Sequence, residues 1–139
     1  MVAPYIIFEG NCKEALECYQ RVFKSKVKMS LPYGDYIPDG IGTPPENLNE
    51  WILHAEMEIC GTNFWFADDV QSVNKGNMIR LTTIVATAKE AKEIFELLSD
   101  GGHITLKPVE TFYSTFHAAV TDQLGVNWNI VAEELPKQP

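Results

Sequence analysis

The hydrophobic and polar positions along the chain change from the pattern of a strand to that of a helix within the first quarter of the sequence. Residues 4–8 form an apolar run rich in β-forming side chains, which predicts a strand. From Asn11 the apolar positions recur every three or four residues as far as Phe23, which predicts a helix with one buried face. Asn11 and Glu14 have the spacing of a capping box, so we expect their side chains to cap the first turn.

Three further strands are predicted after this helix. Residues 27–31 alternate between apolar and polar side chains, as the residues of a half-buried strand do. Residues 52–59 and 63–67 predict two more strands, joined by a tight turn at Gly61. The first half of the chain therefore predicts the order strand, helix and three strands.

The second half of the chain predicts the same order again. Thr87 and Glu90 form another capping box at the start of a second helix. Gly101 and Gly102 mark its end, because glycine readily adopts the left-handed conformation found just past helix ends. The strands of this half are predicted at residues 78–86, 104–106, 117–121 and 126–132.

Similarity between the two halves supports a duplicated unit. Residues 11–19 are echoed by residues 87–95, 76 positions later, and His54-Ala55 is echoed by His117-Ala118. Segments that repeat in the same order indicate two copies of one supersecondary unit. The predicted fold class is α+β, with one domain over residues 1–139 that is made of two pseudo-symmetric βαβββ modules, 3–70 and 76–134, forming cup-shaped mixed sheets.

Charge and composition narrow the class of protein. The 139 residues contain 11 Lys and Arg against 19 Asp and Glu, a net charge of −8, which disfavours nucleic acid as a partner. No apolar run approaches the length that spans a bilayer, and the amino terminus lacks the pattern of a secretory leader. The three cysteines form no CxxC pair or disulfide framework, so we expect reduced thiols in a cytoplasmic protein.

Residues 31–50 interrupt the symmetry of the two halves. This segment contains four prolines and three glycines, a composition that disfavours regular helix or strand. Long loops in compact domains are usually lids, binding loops or interface arms. The alternative is a solvent-exposed loop without a specific role.

The chain resembles a known family at several motifs. Pro4-Tyr5-Ile6-Ile7-Phe8-x-Gly10-Asn11-x-x-Glu14-Ala15 is similar to the opening of PhnB-like proteins. These are a branch of the vicinal oxygen chelate superfamily, which includes glyoxalase I, bleomycin- and fosfomycin-resistance proteins and extradiol dioxygenases. His54-Ala55-Glu56 and Thr121-Asp122-x-x-Gly125-Val126-x-Trp128 strengthen the resemblance, which spans nearly the whole chain. It implies a cup-shaped sheet from each module and a homodimer, but no defined activity.

Metal-using members of this superfamily place four ligands, two per module, on the first and last strands. Counting from the helix and turn motifs puts Pro4, Trp65, Arg80 and Asn129 at these places. Proline has no ligating side chain, arginine is a permanent cation, and the tryptophan ring only donates a hydrogen bond. We therefore expect the metal tetrad to be lost and no divalent cofactor to be bound.

His54, Glu56 and His117 are the candidate catalytic residues, and they are also suitable ligands for a different metal site. His54 and His117 hold equivalent positions, so pseudo-symmetry could bring them to one cavity. His54 and Glu56 are two apart in a predicted strand and therefore share a face. Alternatively, each is half-buried and hydrogen-bonded to its neighbours, or points to solvent.

The candidate ligand-binding residues are Tyr5, Trp65, Arg80 and Asn129, with the 31–50 loop closing over the cup. An inward-pointing Arg80 would need an anion to pair with, which Glu56 or an acidic ligand could supply. The favoured function is the binding of a small organic molecule without a divalent metal. If Arg80 pairs with the ligand, that molecule is anionic.

Two other classes of function stay open. One is an enzyme, a lyase, isomerase or resistance-type transferase that uses His54, Glu56 and His117. The other is a dimeric interaction module whose cup is filled by aromatic side chains. The sequence identifies neither the substrate nor the reaction.

We expect a homodimer in solution. Exposed sheet edges favour pairing with another chain, and a twofold dimer is the commonest closed oligomer. Sedimentation at micromolar concentration should give about twice the monomer mass of 15.6 kDa. A clean monomer at high protein concentration would contradict this expectation.

Overall fold

The computed structural model describes residues 1–137 and divides into two compact units, Met1–Asn74 and a second unit that begins at Lys75. Each unit consists of a strand, a helix and three further strands. Each forms a four-stranded mixed sheet with one helix packed against it. The predicted α+β fold of two βαβββ modules is therefore confirmed.

The first unit has one parallel and two antiparallel strand pairs. Its sheet has the order β1-β4-β3-β2, with β1 parallel to β4 and the other neighbours antiparallel. Its elements are β1 (Tyr5–Phe8), α1 (Cys12–Phe23), β2 (Val27–Pro32), β3 (Ile52–Ile59) and β4 (Thr62–Asp68).

The second unit has the same topology. Its sheet has the order β5-β8-β7-β6, with β5 parallel to β8. Its elements are β5 (Leu81–Val85), α2 (Ala88–Ser99), β6 (His103–Thr111), β7 (Ser114–Thr121) and β8 (Asn127–Ala132).

A two-residue turn sets the register of the hairpin that later carries the site. Cys60 and Gly61 both have positive φ, 48° and 86°, as the two central residues of a type I′ turn do. This turn pairs Ile59 with Thr62 and, farther along the strands, Glu56 with Trp65. Because strand side chains alternate between faces, this register decides which residues of β3 and β4 lie together.

One face of the first sheet packs on α1 and forms the core of that unit. The α1 side contributes buried Ala15, Leu16, Tyr19 and Val22. The sheet contributes buried side chains such as Phe66, whose ring centroid lies 6.1 Å from that of Tyr19. The residues that alternate with this buried set therefore lie on the opposite face of the sheet.

Several strand boundaries differ from those expected from the sequence, and β7 begins at Ser114 rather than at residue 117. β5 begins at Leu81, which pairs with Trp128 of β8, and residues 78–80 lie outside the strand. β6 runs over nine residues because it follows β7 through irregular pairing as far as Thr111 opposite Ser114. β2 extends to Pro32, which is tolerated because β2 is an edge strand.

The loop between β2 and β3 is anchored at both ends. The Tyr33 amide donates to the Trp51 carbonyl over 2.8 Å, and the Tyr33 hydroxyl donates to the Asp68 carbonyl over 2.6 Å. The Trp51 ring packs on Gly10, where an added Cβ would come within 2.6 Å of it. A single turn of 3-10 helix, Leu48–Glu50, lies within the loop. Closure of this loop over a ligand stays a prediction.

A buried aspartate caps α1, where the sequence predicted a capping box. Asn11 occupies the N-cap position, but its side chain makes no capping hydrogen bond. Instead Asp68 Oδ1 accepts from the amides of Gly10 (2.8 Å) and Cys12 (2.9 Å), and Oδ2 accepts from the Ile52 amide (2.9 Å). Asp68 reaches these amides because it ends β4 and pairs with Phe8 at the end of β1. A carboxylate at the positive end of the helix dipole binds such amides better than a neutral amide does.

The second helix follows the sequence prediction more closely. Thr87 is its N-cap, and its hydroxyl oxygen accepts from the Glu90 amide over 3.2 Å. Glu134 Oε2 adds a second acceptor, 2.9 Å from the Ala88 amide, and also accepts from the Thr115 hydroxyl. Both hydrogen bonds lower the pKa of Glu134 below its ordinary value, and the one from the Ala88 amide has the larger effect.

Replacing Asp68 with alanine should destabilise the protein by about 3 kcal/mol or more, because three amides lose a charged acceptor and two of these hydrogen bonds are buried. Urea unfolding measures this change. The matched control is Asp69→Ala, since Asp69 Oδ1 accepts an exposed hydrogen bond from the Gln71 amide. The control should lose less than about 1 kcal/mol. Equal losses in the two variants would show that Asp68 does not hold this corner of the fold.

Candidate functional site

The candidate site lies on the face of the first sheet that points away from α1. On β3 the alternation places His54 and Glu56 on this face, and on β4 it places Asn63 and Trp65 there. Tyr5 of β1 lies directly opposite Trp65 in the parallel pairing, and Glu56 lies opposite Trp65 on the other side. We call these five residues, Tyr5, His54, Glu56, Asn63 and Trp65, the Trp65 cluster.

Three rings of the Trp65 cluster stand almost perpendicular to one another. The ring centroids of His54 and Trp65 are 4.9 Å apart at an angle of 89°. Those of Tyr5 and Trp65 are 5.6 Å apart at 79°, and those of Tyr5 and His54 are 5.8 Å apart at 83°. Edge-to-face packing of this kind contributes about 0.5–1.5 kcal/mol per pair beyond area burial. The rings therefore hold one another in place while Tyr5 stays 48% exposed.

Glu56 is the charged centre of the cluster. Its Oε1 accepts from Asn63 Nδ2 over 2.7 Å, and its Oε2 lies 3.1 Å from His54 Nε2. The hydrogen bond from Asn63, followed by that from His54, lowers the pKa of Glu56 below its ordinary value, with a smaller contribution from the charge of Lys28. Glu56 is therefore an anion at neutral pH, on a side chain that is half-buried.

One acceptor in the cluster has no partner. Asn63 Oδ1 is buried and makes no hydrogen bond within the part of the chain that the structure describes. Its amide nitrogen already donates to Glu56, and turning the amide round would bring its oxygen against the carboxylate. Leaving a buried acceptor unpaired costs about 1–3 kcal/mol.

Tyr5 adds a hydroxyl to this face. Partial burial, with a smaller contribution from the charge of Asp69, raises the pKa of Tyr5 above its ordinary value. The phenol is therefore protonated at neutral pH and available as a hydrogen-bond donor.

The second unit has different chemistry at the equivalent positions. In the strand registers, Asn129 stands where Trp65 does, Thr82 where Tyr5 does, and Ala119 where Glu56 does. His117 occupies the position of His54, and its Nδ1 lies 2.7 Å from the Tyr113 hydroxyl. The second sheet thus lacks the carboxylate and the tryptophan found at these positions in the first.

The candidate residues from the sequence fall into three groups. Tyr5, His54, Glu56 and Trp65 come together in the first unit. His117 and Asn129 belong to the second unit, where Asn129 Nδ2 donates to the Thr82 hydroxyl over 3.4 Å. Arg80 is exposed and precedes β5.

The residues at the superfamily's metal positions do not fit a divalent metal. Pro4 and Trp65 offer no ligating side-chain atom, and the register places Thr82 rather than Arg80 opposite Asn129. Within residues 1–137, no group of three or more His, Cys, Asp and Glu side chains is arranged to hold a metal ion.

Asn63 and Tyr113 are residues that the sequence analysis did not single out, and Asp122 appeared there only as part of the Thr121–Trp128 motif. Asn63 was predictable in part, since it lies two residues before Trp65 and shares its face. The Asp122 carboxylate accepts from the amides of Leu124 and Val126 and from Trp128 Nε1 over 2.9–3.0 Å. The Thr121–Trp128 motif therefore has a structural role, as a turn that fixes a buried tryptophan.

Comparison with solved structures defines the class of fold. A crystal structure of protein PA1353 from Pseudomonas aeruginosa has a TM-score of 0.81 and 26% identity, covering 96% of this chain and 97% of that one. The PhnB protein from Bacillus cereus has a TM-score of 0.76 at 21% identity, covering 94% and 98%. A glyoxylase/bleomycin resistance protein/dioxygenase domain from Frankia has a TM-score of 0.66 at 10% identity, covering 96% and 97%. The fold is that of the vicinal oxygen chelate superfamily.

Sequence comparison defines the family. Residues 1–131 match the family described as 3-demethylubiquinone-9 3-methyltransferase. The chain belongs to this family, the PhnB-like branch that its opening motif indicated. It is also 29% identical to protein YjdN of Escherichia coli over an alignment of 147 positions, which covers 99% of both chains.

Replacing Asn63 with alanine should raise the pKa of Glu56 toward its ordinary value, because the Asn63 hydrogen bond is the largest cause of its lowering. Titration of the glutamate carboxyl carbons by NMR measures this change, and Lys28→Ala should shift Glu56 less. Since the folded-state pKa is the lower one, the Glu56 carboxylate stabilises the fold above its unfolded pKa. This contribution is lost as the pH falls through the folded pKa. An unchanged Glu56 titration in Asn63→Ala would contradict the assignment.

Proposed function

We propose that this protein binds a small organic molecule at the Trp65 cluster, without a divalent metal. The observation that carries the proposal is the grouping of three mutually perpendicular rings and a hydrogen-bonded carboxylate on the sheet face opposite α1. Aromatic rings supply large apolar contact area, and a few fixed polar groups supply orientation, which is the usual composition of a small-molecule site.

The cluster is preorganised for binding. Glu56 is fixed from two sides by His54 and Asn63, and Trp65 is fixed by ring contacts with Tyr5 and His54. Side chains that are already ordered lose little conformational entropy when a ligand arrives.

Methyl transfer, which the family description names, is not part of this proposal. Nucleotide-like cofactors bind in doubly wound parallel sheets at a glycine-rich turn between strand and helix. Here the two sheets are mixed, and the connection from β1 to α1 contains the single glycine Gly10. The family similarity supports the fold and the relationship, while the chemistry of the cluster supports ligand binding.

An enzymatic role is the second candidate, and the 3.1 Å contact between His54 Nε2 and Glu56 Oε2 favours it. A carboxylate that orients an imidazole can assist proton transfer, as a lyase, isomerase or resistance-type transferase would require. In this alternative His54 exchanges a proton with the substrate and Glu56 orients the ring, with His117 of the second unit as a further candidate. Glu56→Gln would then abolish turnover while ligand binding persists.

The setting that we propose is a cytoplasmic homodimer. Within the described residues, neither helix has the length and apolarity needed to cross a membrane. The edge strands β2 and β6 offer unpaired backbone groups for association.

A ligand found by thermal-shift screening should fail to stabilise the Trp65→Ala and His54→Ala variants, because each removes one of the three rings. Titration calorimetry should show binding weakened about tenfold, since the loss of about 1.4 kcal/mol of aromatic contact has this effect. Phe112→Ala is the matched control, as Phe112 is an aromatic residue that is 91% exposed on the turn between β6 and β7. A ligand that binds all three variants as well as the parent would show that the Trp65 cluster is not the working site.

Protein purified without a histidine tag should contain well under one equivalent of zinc, nickel, manganese or iron. The reason is the poor donor set at Pro4, Trp65 and Asn129. Elemental analysis by mass spectrometry measures the metal content. Stoichiometric metal that is lost on replacing Asn129 would show that the second unit binds a metal after all.

A further inference from the structure

The Trp65 cluster contains two unmet requirements that together define a ligand. The first is Asn63 Oδ1, a buried acceptor without a donor in the described part of the chain. It needs an N–H or O–H group from another molecule. Turning the amide round does not remove this need, because Asn63 Nδ2 would then lose its hydrogen bond to Glu56. Any molecule that satisfies it must carry a hydrogen-bond donor.

The second requirement concerns charge. The Glu56 carboxylate has accepting capacity for about four hydrogen bonds and receives one from Asn63 and a contact from His54. Lys28, the nearby cation, contacts Glu58 instead, with its Nζ 3.7 Å from Glu58 Oε2. Glu56 therefore retains both unused lone pairs and negative charge.

The aromatic rings favour the same sign of charge. The faces of tryptophan and tyrosine carry negative electrostatic potential and attract ammonium groups. Tyr5 and Trp65 stand at 79° to each other, so they present two differently oriented rings beside the carboxylate. The net charge of −8 also raises the local concentration of cations around the protein and lowers that of anions.

We propose that the Trp65 cluster binds an organic cation that bears at least one N–H, a primary or secondary ammonium. The ammonium pairs with Glu56 and lies against the rings of Trp65 and Tyr5, and one N–H donates to Asn63 Oδ1. Because this oxygen is covered in the free protein, entry of the ligand includes a side-chain adjustment that exposes it. The inference rests on the proposed function and specifies the class of ligand.

The structure gives reasons to prefer this class over two others. A quaternary ammonium would satisfy the rings and Glu56 but has no donor for Asn63. An anion would be repelled by the Glu56 carboxylate. Arg80, the cation that first suggested an anionic ligand, is exposed and lies before β5.

The test uses three probes that share one ring: benzylammonium, benzyltrimethylammonium and benzoate, titrated into the full-length protein at constant ionic strength. NMR of the backbone amides locates the binding, and calorimetry gives the affinity. We expect benzylammonium to bind at the Trp65 cluster, benzyltrimethylammonium to bind about tenfold more weakly or worse, and benzoate not to bind there.

Variants test the contact of the ammonium with Glu56 and the contact of its N–H with Asn63 separately. Glu56→Gln should weaken benzylammonium binding about tenfold or more. Glu58→Gln, a matched change two residues along β3, should not, because the Glu58 side chain is exposed and pairs with Lys28. Asn63→Leu should remove the preference for benzylammonium over the quaternary probe while both still bind. Amide spectra of each variant check that the fold is kept.

The outcomes distinguish this inference from the proposed function. Benzoate binding at the cluster, or benzylammonium binding that is unaffected by Glu56→Gln, would overturn the inference that the ligand is a cation paired with Glu56. Equal affinity of the ammonium and quaternary probes would overturn the role of Asn63. In either case, a Trp65-dependent ligand from the screen would leave the proposed function standing. If every ligand binds independently of Trp65, both proposals fail.

Discussion

The carboxylate of Asp68 is the interaction on which the first unit depends. It lies at the end of β4, yet it accepts hydrogen bonds from the residues that enter α1 and from the first residue of β3. One buried side chain therefore joins three segments that are distant in sequence. The same strand carries Trp65 three residues earlier, so this junction and the Cys60-Gly61 turn together fix the position of the tryptophan relative to β1 and β3.

Burial around this junction also affects the thiol of Cys12. Cys12 is fully buried at the start of α1, and desolvation, followed by the charge of Asp68, strongly raises the pKa of its thiol. A thiol that stays protonated is a poor nucleophile. Asp68 and Cys12 are thus part of the framework, while the polar residues on the other face of the sheet are available for function.

The two units show how one topology can carry different chemistry. The registers of the β3–β4 and β7–β8 pairs correspond residue by residue, with His54 equivalent to His117 and Trp65 equivalent to Asn129. Opposite Trp65 the first unit has Glu56, and opposite Asn129 the second unit has Ala119, so only the first unit has a carboxylate at this position. Similarity to solved structures at 10–26% identity shows the shared backbone but not these side chains. Functional proposals for this family therefore depend on the residues of each unit separately.

The order of elements, the internal repeat and the pairing of His54 with Glu56 on one face followed from the sequence alone. The hydrophobic period, the turn glycines and the capping motifs are local properties, because each depends only on residues that are close in sequence. Tertiary structure decided what depends on neighbours distant in sequence. Asp68 replaced Asn11 as the cap because β1 and β4 meet beside α1, and Arg80 fell outside β5, whose pairing with β8 starts at Leu81 and Trp128. The unpaired Asn63 oxygen likewise became visible only in the structure, because an unmet hydrogen bond is defined by the atoms that surround it.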